Sequence, residues 1–84
     1  MTQKEKLLKR FLNRPKDFTW DELATLLSKY GYELTKHGKT GGSRRRFVHK
    51  SLPPITLHKP HPKKIIKMYV IDELTNFLKK EKLI

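Results

Sequence analysis

Apolar residues recur at helical spacing in three stretches of the chain and alternate in three short stretches between them. From Gln3 to Asn13, Leu7, Leu8, Phe11 and Leu12 share one side, with Lys and Arg on the other. Pro15 ends that segment, because the residue before a proline is pushed out of the helical region. Thr19 opens a second helix, and Thr19 with Glu22 has the spacing of a capping box. Trp20, Leu23, Leu26, Leu27 and Tyr30 form its apolar face, and Gly31 supplies a left-handed stop. A last helix is predicted over Lys67 to Lys82, with Val70, Ile71, Leu74, Phe77 and Leu78 as its stripe.

Between these helices lie three strand candidates: Tyr32 to Lys36, Arg44 to Lys50, and Ile55 to His58. His37 to Gly42 is a Gly-rich connection, and Ser51 to Pro53 is a turn. Connections this short predict an antiparallel meander. The order α-α-β-β-β-α predicts an α+β fold of two layers, a three-stranded antiparallel sheet packed on helices. Its outer sheet face would carry basic side chains to solvent. At helical spacing, Trp20 and the other aromatics read as core ahead of base-stacking platforms. No repeat and no low-complexity segment is present.

Composition narrows the class. Eighty-four residues fit one domain, read as a core over 18–84 with an additional N-terminal helix and linker over 1–17. With no Cys there is no disulfide framework, no thiolate zinc site and no iron–sulfur cluster. The apolar runs are too short to span a membrane, and the N-terminus lacks a signal-peptide core. The expectation is a cytoplasmic protein that makes no membrane contact.

Charge changes the picture more. Lys and Arg number 20 against 8 Asp and Glu, a formal charge of +12. A balance this basic predicts a polyanionic partner, usually nucleic acid. All eight acids lie outside the stretch from Leu34 to Ile71. That stretch holds ten of the cations and all four histidines: His37, His49, His58 and His61. Segregation of this kind reads as a binding face.

Two constellations in it could carry chemistry. The first is Gly41-Gly42-Ser43-Arg44-Arg45-Arg46-Phe47. Glycines let the backbone approach a phosphate, and Arg forks pair bidentately with it. Strand alternation sends Arg44 and Arg46 to solvent and Arg45 with Phe47 toward the core edge. The plain reading is a hairpin followed by a solvated strand. The second is His58-Lys59-Pro60-His61-Pro62-Lys63-Lys64, two histidines on a Pro-stiffened segment. Metal-free RNA cleavage needs a base for the 2′-hydroxyl, a cation for the phosphorane and an acid for the leaving oxygen. His58, His61, Arg44 and the neighbouring lysines supply that inventory. The plain alternative is that the histidines contact phosphate or cap the last helix. His49, His58 and His61 are also possible metal ligands. The acid-free, cationic surroundings argue against a metal, and no cofactor is expected. A Ser-His-Asp triad lacks its acid, a phosphate-binding loop lacks its Lys-Ser/Thr ending, and no helix-turn-helix is evident.

A helix ending in Tyr30-Gly31-Tyr32, a Gly-Ser opening a strand that ends in Phe47, then Pro60-His61-Pro62-Lys63-Lys64 and a closing helix resemble the HicA family of toxins. The resemblance covers Thr19 to Leu83. It implies a fold like the double-stranded-RNA-binding domain, ribosome-independent mRNA cleavage and a HicB-like antitoxin as partner. Typical members of that family place the catalytic His directly after Gly-Ser. Arg44 stands there in this chain, as in a similar subgroup that pairs it with a His-x-Pro-His-Pro segment. The base would then come from His58 or His61, with Arg44 stabilising charge. Gly42, Ser43, Arg45, Arg46, Lys59, Lys63 and Lys64 would bind RNA. A non-catalytic RNA-binding module is the alternative. The free protein is expected to be a monomer or weak homo-oligomer.

Overall fold

A computed structural model describes residues 2–35, 44–60 and 63–84. Thr2 accepts the Glu5 N–H at 3.2 Å and starts helix α1 (Gln3–Leu12). Only Phe11 of α1 is fully buried, and its ring meets Phe18 edge-on at 5.3 Å. Leu12, expected on the same stripe, is 41% exposed, because the buried face of α1 is centred on Phe11 and Leu12 lies off it. The predicted capping box forms at helix α2 (Trp20–Lys29). Thr19 Oγ1 accepts the Glu22 N–H at 3.1 Å, and Glu22 Oε1 accepts the Thr19 N–H at 3.1 Å.

Glu22 also binds α1. Arg10 Nε donates to its Oε2 at 2.9 Å, and Arg10 reaches Asp17 as well. The hydrogen bond from Arg10 is the main cause that holds the Glu22 carboxyl below its ordinary value of 4.5. Partial burial opposes it, and the Thr19 N–H and hydroxyl add to it. A carboxyl depressed in the folded state contributes stability above its unfolded value, and that contribution disappears as pH falls through the folded one. The melting-temperature gap between wild type and Glu22→Gln is therefore expected to be full at pH 6. It should narrow steadily below about pH 4.5. A gap that stays constant down to pH 2 would remove this role from Glu22.

Arg14 ties the end of the α1 segment to the last helix by a two-pronged pair with Asp72, at 2.9 and 3.0 Å. The N-terminal helix is thus packed into the common core and clamped at two points.

Strands β1 (Glu33–Leu34), β2 (Arg44–Val48) and β3 (Ile55–His58) form an antiparallel sheet in the order β1-β2-β3. β1 is shorter than expected. Tyr32 precedes it as a buried core residue, and Lys36 lies outside the described residues. Burial raises the Tyr32 hydroxyl, which stays protonated and donates to the Pro53 carbonyl at 2.9 Å. That bond anchors the turn leading into β3.

After β3 the chain crosses the start of α2. Thr19 and Ile65 form an antiparallel bridge, Trp20 N–H donates to Lys64 at 2.9 Å, and Ile66 N–H donates to Phe18 at 2.7 Å. Helix α3 (Met68–Lys80) then closes the core with Ile71, Leu74 and Leu78. The α-α-β-β-β-α order and the α+β arrangement are as expected from the sequence. No helix among the described residues is long and apolar enough to cross a membrane.

Candidate functional site

The β2–β3 register decides where the basic residues go. Arg44 lies opposite His58, Arg45 opposite Leu57, Arg46 opposite Thr56 and Phe47 opposite Ile55. Residues directly opposed across an antiparallel pair share a face, with Cβ atoms about 4.5–5.5 Å apart. Phe47 and Ile55 are buried, which fixes the inner face. Arg44, Arg46, Thr56 and His58 therefore share the outer face, and all four are exposed. Arg45 takes the inner parity and is half-buried, with its Nη1 donating to the Arg44 carbonyl at 3.0 Å.

His58 also belongs to a second feature. A cleft of about 760 Å³ opens between the end of β3, the start of α2 and the first turn of α3. Trp20, Leu57, Ile65, Ile66 and Met68 supply apolar walls. Lys16, Lys59, Lys63 and Lys67 supply the cations, and His58 stands among them. No carboxylate is among the described residues that line it. Three of the acids near it in sequence pair with arginines: Asp17 and Glu22 with Arg10, and Asp72 with Arg14. The arginines of the N-terminal segment thus neutralise acids away from the cleft, and the lysines keep it strongly positive. α3 adds to this field, since its first turn holds no acid and lies at the cleft.

The predicted site residues are therefore distributed unevenly. Arg44 and His58 come together across the strands, and His58, Lys59 and Lys63 meet at the cleft. Arg46 extends the outer face. Lys64 is exposed but does not line the cleft. Gly42, Ser43 and His61 lie outside the described residues. The sequence reading did not assign Lys16, Lys67 or Tyr69 to the site. Lys16 is far from the basic segment in sequence and reaches the cleft only because residues 18–20 bridge to residues 64–66. Tyr69 carried a signal that went unused, an aromatic off the apolar stripe of α3.

His49, weighed above only as a metal ligand, has both ring nitrogens engaged by backbone groups. The Ser51 and Leu52 N–H groups both donate to its Nδ1, at 2.9 and 3.2 Å. Nδ1 must then be unprotonated, so Nε2 carries the proton and donates to the Tyr30 carbonyl at 3.0 Å. Gly31 makes room for this ring. Its φ is +92°, and a Cβ there would stand 2.9 Å from His49 Nε2. His49 is a brace between the α2 exit and the β2–β3 turn. Among the described residues, no three His, Asp or Glu side chains cluster as a metal site would require.

Residues 20–80 match the family model for the HicA toxin of bacterial toxin–antitoxin pairs. The chain belongs to the HicA family. The match runs from the first residue of α2 to the last of α3, so it contains the sheet and most of the cleft and leaves out α1 and Lys16. Comparison with curated proteins and with solved structures gave no match. HicA membership makes this chain the toxin component of such a pair, and it implies an antitoxin as partner.

Proposed function

We propose that this HicA toxin binds RNA on the outer sheet face and adjoining cleft and cleaves mRNA there without a metal ion. The observation that carries the reading is the position of His58. It faces Arg44 across β2 and β3 and also stands among the lysines of the cleft. An imidazole beside a guanidinium, with no carboxylate among the described residues that line the cleft, suits proton transfer next to a phosphate.

In the proposed reaction His58 takes the proton of a ribose 2′-hydroxyl. The 2′-oxygen attacks the adjacent phosphorus, and Arg44 stabilises the charge that builds on the phosphorane oxygens. The bond from phosphorus to the 5′-oxygen breaks, and a protonated group supplies that oxygen with its proton. His61 is the proposed acid. The products are a 2′,3′-cyclic phosphate and a 5′-hydroxyl end. Lys59 and Lys63, with Lys64, Arg45, Arg46 and the Gly42-Ser43 turn, hold the flanking phosphates. Such contacts read backbone and shape more than base identity. A HicB-like antitoxin would neutralise the toxin by covering this cationic surface.

The test is incubation of purified protein with end-labelled RNA in excess chelator. Cleavage with cyclic-phosphate ends is the expected result, together with growth arrest on expression that a co-expressed antitoxin relieves. RNA that binds with steep salt dependence but stays intact, with or without metal, would instead establish a binding module. Arg44 is the residue that favours this second reading, because a guanidinium cannot act as a base.

A further inference from the structure

We infer that the cleft beside His58 is a subsite for one unpaired RNA base, with Tyr69 as its stacking surface. This rests on the RNA-binding reading above and adds a substrate class to it: single-stranded RNA, or RNA with a base turned out of the helix.

Three observations carry it. The cleft is too apolar to be a phosphate groove alone. Its walls include Trp20, Leu57, Ile66 and Met68, whereas a duplex-binding surface needs only cations and polar groups. Its volume of about 760 Å³ lies within the range of about 300–1,000 Å³ usual for small-molecule sites, ample for a base and its ribose. Tyr69 lines the cleft and is 59% exposed, the most exposed of the large apolar side chains among the described residues. An aromatic ring left open at the mouth of a cationic, apolar cleft matches one ligand chemistry well: a flat π-face attached to a phosphate chain.

The location joins this subsite to the proposed chemistry. His58 lines the cleft and faces Arg44. A base seated against Tyr69 would place its own ribose and phosphate in the same cleft that His58 lines. Binding energy from the base would then position the reacting phosphate, which is how remote contacts raise a rate. A base paired within a helix is not available for this contact. Perfect duplex RNA would therefore bind through phosphates only.

The test uses 2′-O-methyl oligouridylate, which cannot be cleaved through its 2′-oxygen, and an abasic 2′-O-methyl oligomer of equal length and charge. Wild type should bind the uridylate about 5- to 150-fold more tightly than the abasic oligomer, the range for a single base–aromatic stack. Tyr69→Ala should erase that preference and leave abasic affinity unchanged, and Tyr69→Phe should retain it. The sole Trp of the chain lines the cleft, so its fluorescence should respond to the uridylate and not to the abasic oligomer. Equal affinity for the two oligomers in wild type would overturn the subsite while RNA binding stands. So would a preference that survives Tyr69→Ala, and the cleft would then be open to a protein partner instead. Failure of both oligomers to bind at low salt would remove the RNA-binding reading itself.

Discussion

His58→Ala is expected to slow RNA cleavage by about 10²–10⁴-fold, the usual contribution of one acid–base group. RNA affinity should change little and the fold should stay intact. The side chain is exposed on the outer face of β3, so its removal leaves no internal cavity. An affinity loss is expected to be small because Arg44, Lys59 and Lys63 still present their charges around the same point. The measurement is a single-turnover cleavage rate with bound RNA in chelator, which separates chemistry from association. Free imidazole added to the variant should restore part of the rate, because the vacated position is open to solvent. That rescue distinguishes a catalytic imidazole from a structural one. A His58→Ala protein that cleaves as fast as wild type would assign the base elsewhere. A variant that loses RNA affinity and rate in equal proportion would make His58 a phosphate contact only.

Much of the fold around this candidate site could be read from the sequence because it rests on local rules. The capping box at Thr19 and Glu22, the Gly31 stop and the bounds of β3 each depend on a few adjacent residues. Strand parity places Arg44 and Arg46 outward once Phe47 is core, and the structure has both exposed. Short connections and an antiparallel meander put the strands of Arg44 and His58 side by side, but the register that sets the two residues opposite each other comes from the structure. What escaped depends on chain crossings. Lys16 enters the cleft only through the bridge between Thr19 and Ile65, which joins segments distant in the chain. Nothing in the periodicity near Ile65 signals a partner, since Pro60 and Pro62 interrupt it. His49 was open to a ligand role because composition cannot show two backbone donors converging on one ring nitrogen. Leu12 illustrates the opposite failure. It has helical spacing from Leu8, but the buried face is centred on Phe11 and leaves Leu12 outside it.

Arg44 carries the largest remaining weight in the mechanism, and the three substitutions that test it separate three roles. Arg44→Ala should lower the cleavage rate by about 10²–10³-fold, the loss seen when one charge-stabilising group is removed from a transition state. Affinity should fall far less, since one cation of many is lost from a surface of net charge +12. Arg44→Lys should recover part of the rate. It restores a point charge opposite His58, but not the planar fork that matches two phosphorane oxygens at once. Arg44→His is the decisive variant, because imidazole can serve as a base where guanidinium cannot. If Arg44 stabilises charge while His58 takes the proton, the substitution replaces a permanent cation with a largely neutral ring at pH 8. The rate there should drop toward that of Arg44→Ala. If Arg44 occupies the place of a lost base, the same substitution should raise the rate, and it should do so even when His58 is Ala. The double variant Arg44→His/His58→Ala thus gives opposite signs for the two accounts: further loss relative to Arg44→His under the proposed mechanism, and activity above wild type under the other. Both residues are exposed on one strand pair, so neither result can be ascribed to a collapsed core.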